Sequence, residues 1–107
     1  MTTVSVQTEA FDPGAEAEAL ERLGAGAIAT FTGLVRSDDG VDAMTLEHYP
    51  GMTEAALEAL ITEAKARWAL EGARIVHRVG RLEVGARIVF VGTASAHRKD
   101  ALEAAPF

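Results

Sequence analysis

Apolar residues recur along this chain at two spacings, and each spacing predicts its own kind of element. Over residues 54–68 the apolar positions Leu57, Leu60, Ile61, Ala64 and Trp68 fall three or four apart, which is one face of a helix. Thr53 stands where its N-cap belongs, Met52 is placed to staple onto Leu57, and Glu54 with Lys65 and Arg67 suits the two ends of the helix dipole. Elsewhere the period is two. Residues 43–49 set Met44, Leu46 and His48 against Thr45, Glu47 and Tyr49, which predicts a strand. Residues 86–94 hold an unbroken Ile88-Val89-Phe90-Val91 run, as in a strand buried on both faces. Residues 27–35 and 73–79 are also β-rich, and Val4–Gln7 predicts a short first strand. Gly33, inside the 27–35 segment, marks a bulge or a close backbone approach.

Punctuation between these segments completes the outline. Pro13 lies just inside a predicted helix over 13–23, which Gly24 and Gly26 close. Pro50-Gly51 turns the chain ahead of the long helix, and a polar loop spans 37–42. A last helix is expected from Ala96, with Ser95 as N-cap, ending before Pro106; its only large apolar residue is Leu102, slight packing for a closing element. The order β-α-β-β-α-β-β-α predicts an α+β domain whose mixed sheet packs on the 54–68 helix.

At 107 residues the chain has enough material for one core, and 49% hydrophobic against 24% charged residues is an ordinary globular composition. Cysteine is absent, which excludes a thiolate nucleophile, a persulfide carrier and a thiolate metal site, so sulfur chemistry would need sulfur from a partner. No apolar run reaches a membrane span and the first residues do not read as a signal peptide, so a cytoplasmic protein without membrane contact is expected. Charge is divided along the chain. Residues 1–63 carry twelve acidic and two basic residues, whereas 64–107 carry four acidic and eight basic ones. A net charge of −6 with no basic stripe argues against nucleic acid as a partner, and the basic half suggests a confined site for a small anion.

The candidate chemistry sits at two places. Ser95-Ala96-His97-Arg98-Lys99 gathers cations where the most apolar strand gives way to a helix, a setting for a phosphate or carboxylate. Arg36 follows Thr32-Gly33-Leu34-Val35, where a glycine would let backbone approach a ligand that the guanidinium grips. His77 alternates with Ile75 and Val79 and reads as a hydrogen-bonded structural residue, while His48 fits a turn network. Asp38-Asp39-Gly40 with Asp42 lacks the ligand spacing of a calcium loop and reads as a solvated turn; no metal site is expected. Phosphate-loop, dinucleotide and nucleophile-elbow motifs are absent.

Thr30-Phe31-Thr32-Gly33-Leu34-Val35-Arg36, then Leu46-Glu47-His48-Tyr49-Pro50-Gly51-Met52-Thr53, and later Ile88-Val89-Phe90-Val91-Gly92 with Ser95-Ala96-His97-Arg98, resemble the large, catalytic subunits of molybdopterin synthases, the MoaE family. The likeness runs in order from about Gly24 to Ala104. It implies an α/β-hammerhead fold and a part in molybdenum cofactor biosynthesis, in which two sulfurs pass to cyclic pyranopterin monophosphate. It also implies a homodimer of large subunits with pockets shared between them, and a small ubiquitin-fold subunit whose Gly-Gly thiocarboxylate brings the sulfur; no cofactor is implied. By resemblance Leu34, Val35, Arg36, His97 and Arg98 match substrate-binding positions, with His97 also a candidate to move a proton. The sequence departs from the family in two respects. Leu34 stands where lysine is frequent, and the family's C-terminal segment with two active-site lysines, the second in a Pro-Phe-Trp-Lys motif, has at most an echo in Ala105-Pro106-Phe107. The 107 residues are therefore expected to be one domain of this type shortened at its C-terminus, with its own turnover in doubt.

Overall fold

The computed structural model describes residues 4–36, 43–46 and 51–106. Its elements run β1 (Val4–Gln7), α1 (Pro13–Glu21), β2 (Ala27–Leu34), β3 (Ala43–Leu46), α2 (Met52–Arg67), β4 (Leu70–Arg78), β5 (Gly80–Glu83), β6 (Arg87–Ser95) and α3 (Arg98–Ala104). Four strands form a mixed sheet in the order β1-β4-β6-β2, with β1 parallel to β4 and the other neighbours antiparallel. The remaining two, β3 and β5, pair antiparallel as a separate ribbon. The expected α+β class and mixed sheet are present, with one strand more than the apolar pattern predicts. That strand, β5, is hidden in sequence because Gly80 (φ +89°) turns the chain directly out of β4, and because only Leu82 is buried between exposed Arg81 and Glu83.

Both faces of the central strands are covered, which explains the unbroken apolar run in β6. Val76, Phe90 and Ala94 face α1, where they meet Leu20 and Phe11; the Phe11 and Phe90 rings pack edge to face at 6.3 Å. Ala73 and Ile75 face the other way, onto Val4 and Ile61 of α2. Leu20 is fully buried and lies so close to Gly92 that a Cβ there would overlap its Cδ1. Across the same layer Arg74 of β4 forms a two-point ion pair with Glu16 of α1 at 2.9 and 3.3 Å.

Helix α2 starts earlier than the sequence pattern suggests. Gly51, at φ +83°, is its N-cap and its N–H donates to Glu54 Oε1 at 3.0 Å, so Thr53 lies inside the helix. Met52 is then a helical residue, 73% exposed, and the expected staple onto Leu57 does not fit this start. At the other end the backbone of Trp68 is extended and terminates the helix, while its indole N–H donates to Glu103 Oε2 of α3 at 3.1 Å. The small α3 helix is held by Ala101 and Ala104, which are buried, whereas Leu102 is 62% exposed; close backbone approach replaces the expected large side chain.

Replacing Leu20 by alanine is expected to cost about 2–5 kcal/mol of stability, since it empties the contact between α1 and both central strands. Urea denaturation of the two proteins measures this directly.

Candidate functional site

The β2–β6 ladder sets where each sequence-predicted residue lies. Ala27 pairs with Ser95 at one end and Leu34 with Arg87 at the other, and the expected irregularity at Gly33 is present as a bulge between Gly33 and Leu34 in which Ile88 of β6 is the extra residue. Beyond the bulge, Leu34 is 56% exposed and Val35 is buried. The Val35 N–H donates to the Ala86 carbonyl and its own carbonyl accepts from Gly85 N–H, both at 2.9 Å. These two bonds clamp the chain to the β5–β6 turn and present Arg36 at the surface beside it.

The other cationic group lies where β6 ends. Ser95 remains in the sheet, paired with Ala27 on one side and Leu70 on the other, and its Oγ donates to the Ala69 carbonyl at 2.7 Å while accepting from His97 N–H at 3.4 Å. It is therefore not the N-cap expected from sequence, because a residue held by two ladders cannot begin a helix. His97 takes that position in extended backbone (φ −127°, ψ 141°) without a side-chain cap bond, and α3 begins at Arg98. With only seven residues α3 adds little dipole, so the cationic character here rests on the exposed His97, Arg98 and Lys99 side chains.

Two contacts fix this corner. Thr93 Oγ1 donates to the Ala101 carbonyl at 2.7 Å, tying α3 to β6. Gly26, ahead of β2, lies against the Ala96 backbone so closely that a Cβ would overlap the carbonyl oxygen. In sequence Gly26 is mere punctuation; its role depends on a residue 70 positions away, and no local pattern marks it.

Within one chain the two cationic groups do not converge. Seven ladder steps at ~3.3 Å each separate them by about 23 Å, at opposite ends of the same strand pair. His77 agrees with its structural reading: it is half-buried with Nδ1 2.9 Å from the Arg78 carbonyl. It also lines a cleft of about 400 Å³ between α2 and the sheet, with Phe31, Leu60, Ile61, Val89 and Val91 around it. Near Leu34, a second cavity of about 580 Å³ is lined by Arg78 and Arg87, two residues that the sequence reading did not single out. His48, Tyr49 and the 37–42 loop lie outside the described residues. Among the described residues no three His, Cys, Asp or Glu side chains gather as a metal site, and no helix is long and apolar enough to cross a membrane.

Comparison with known proteins gives a consistent result. The sequence model of a family described as MoaE protein matches residues 6–107. The molybdopterin synthase catalytic subunit of Pseudomonas aeruginosa is 53% identical over 109 residues, spanning 97% of this chain and 73% of that protein. The solved structure of molybdopterin cofactor biosynthesis protein E from Burkholderia multivorans superimposes with a TM-score of 0.89 at 47% identity, covering 99% of this chain and 72% of that one. A complex of subunits 1 and 2 of molybdopterin-converting factor from Helicobacter pylori matches with a TM-score of 0.79 over 94% of this chain and 70% of that one; its 21% identity speaks for the fold alone.

Substituting Gly26 by alanine is expected to lower stability by about 1–3 kcal/mol, because the added methyl meets backbone that cannot rotate away. Thermal or urea unfolding checks it, and an unchanged midpoint would mean that the Ala96 contact is not held in solution.

Proposed function

This chain belongs to the MoaE protein family, and on that premise we propose that it is the large subunit of a molybdopterin synthase. In this reading it binds cyclic pyranopterin monophosphate, to which two sulfurs pass, one from each of two thiocarboxylated Gly-Gly tails of the small ubiquitin-fold subunit, each tail leaving as a carboxylate. The absence of cysteine suits that chemistry, since the sulfur arrives on the partner and no thiol of this chain is required. Arg36 and Arg98 hold phosphate or meet the negative charge that develops as the thiocarboxylate attacks, and His97 binds phosphate or carries a proton. Val35, pinned on both sides of its peptide unit by the β5–β6 turn, orients Arg36.

The observation that carries the arrangement is the separation of the two cationic groups along one ladder. A single chain offers half of a pocket at each end. A twofold dimer that brings the Arg36 end of one copy to the His97–Arg98 end of the other completes two pockets at once, as an isologous pairing requires. The alternative is a module that binds the small subunit without turnover. Mixing the chain with precursor and thiocarboxylated small subunit separates the two readings: molybdopterin supports the enzyme, and binding without product supports the module.

Arg98→Ala is expected to weaken precursor binding by about 1.5–3 kcal/mol, the worth of a lost charge-assisted hydrogen bond. Calorimetry reads this, and an unchanged Kd removes Arg98 from the site. The shared pocket has its own test in mixed dimers. Arg36→Ala and Arg98→Ala chains each lack every complete pocket when alone, whereas equilibrated mixtures regain about one full-affinity site in four, in the dimers that combine one chain of each kind. No regain on mixing would mean that the pocket is not built across two copies.

A further inference from the structure

Arg74 and Arg78 lie four residues apart on the same face of β4 and have opposite surroundings. Arg74 is answered by the Glu16 carboxylate. Arg78 is held by backbone alone: its Nε and Nη2 donate to the Thr8 carbonyl at 3.2 and 2.9 Å, and its Nη1 reaches the Arg87 carbonyl at 3.5 Å. Carbonyl dipoles orient the guanidinium fork but leave its full charge uncompensated, and two of its five N–H donors stay unassigned. Arg87 starts β6, is exposed, and lines the same cavity of about 580 Å³. Among the described residues no carboxylate pairs with either arginine, in a chain where acidic residues outnumber basic ones sixteen to ten.

Two guanidinium groups that line one cavity repel, and a fork oriented by carbonyls with no carboxylate partner among the described residues is a binding site with its cost of ordering already met. The rest of the lining suits a ligand with a polar head and an apolar body: Phe11, Pro13 and Leu34 form one wall, and the Gly85-Ala86 turn forms another. Asp12, between Phe11 and Pro13, caps α1 through its Oδ1, which accepts from Gly14 N–H at 2.9 Å, and it forms no ion pair with either arginine among the described residues. We propose that Arg78 and Arg87 form an oxyanion-binding site, separate from His97 and Arg98, that takes a phosphate group or the terminal carboxylate of a peptide. The site concerns binding alone and stands whether or not the molybdopterin reading does.

The test is an NMR titration of the intact chain at constant ionic strength with three probes: inorganic phosphate, N-acetylglycylglycine and the amide of that peptide. Saturable shifts at the Gly85, Ala86 and Arg87 amides are expected with phosphate or with the free carboxylate. Phosphate alone assigns the site to a phosphoryl group; the peptide acid without its amide assigns it to a chain terminus. Arg87→Glu, an exposed substitution that leaves the fold intact, is expected to weaken the effective anion by about tenfold or more, with Arg87→Lys in between. Arg78→Lys removes the fork, and circular dichroism shows whether that variant is folded enough to interpret. Absence of saturation with both anions, shifts that persist unchanged in Arg87→Glu, or shifts confined to His97 and Arg98 would each overturn the proposal. Because Gly85 and Ala86 also hold Val35 beside Arg36, the titration is repeated on Arg36→Ala: shifts that persist there belong to Arg78 and Arg87, and shifts lost there would overturn the proposal.

Discussion

Everything in this molecule depends on β6 being held on both edges and covered on both faces. Its hydrogen bonds run to β2 on one side and to β4 on the other, and its side chains alternate between the layer under α1 and the layer under α2. A strand enclosed in this way has one register, because a slip of a single residue would carry Phe90 out of the Leu20 layer and leave the smaller Val89 or Val91 to fill its space. The register in turn decides that Leu34 ends up opposite Arg87 and that Ser95 stays in the sheet while His97 leaves it. The positions of all the candidate binding groups are thus consequences of core packing rather than of loop conformation.

Charge follows the same architecture. The acidic first part of the chain supplies α1 and most of α2, elements with one face to solvent, whereas arginines occur along β4, β5 and β6 and at the start of α3. Their fates differ by position. Arg74, under α1, meets a carboxylate; Arg78, at the strand end, meets only carbonyls; Arg98, past the last strand, is exposed. Cationic groups at strand ends in an otherwise acidic protein make local fields opposed to the global one, and small anions respond to the local field at close range.

Much of this was legible in the amino-acid order, and the exceptions have physical causes. The two-faced run Ile88 to Val91, the bulge at Gly33 and the helical face containing Ile61 and Ala64 all appear as the periodicity predicts, because burial enforces those patterns directly. The helix starts were displaced where backbone geometry overrides side-chain preference. Gly51 supplies a conformation that Thr53 was expected to replace with a hydroxyl, and Ser95 is committed to two ladders. What sequence could not disclose is proximity between distant positions. The Gly26 contact with Ala96, the Val35 clamp to Gly85 and Ala86, and the pairing of Arg78 with Arg87 at one cavity arise only once the strands are side by side.

The parallel pairing of β1 with β4 sets a condition on how the chain acquires its structure. Val4 lies beside Ile75, about 70 positions further along, and Ala27 finds Ser95 at nearly the same remove. During synthesis the N-terminal strands therefore leave the ribosome long before their partners exist, and the four-stranded sheet cannot close until β6 has emerged. Over that interval the nascent polypeptide carries the strongly acidic portion of its sequence and little of the basic portion. Self-repulsion among those carboxylates opposes association between unfinished, strand-rich chains, so the uneven charge that sets the local fields at the strand ends also bears on aggregation during synthesis.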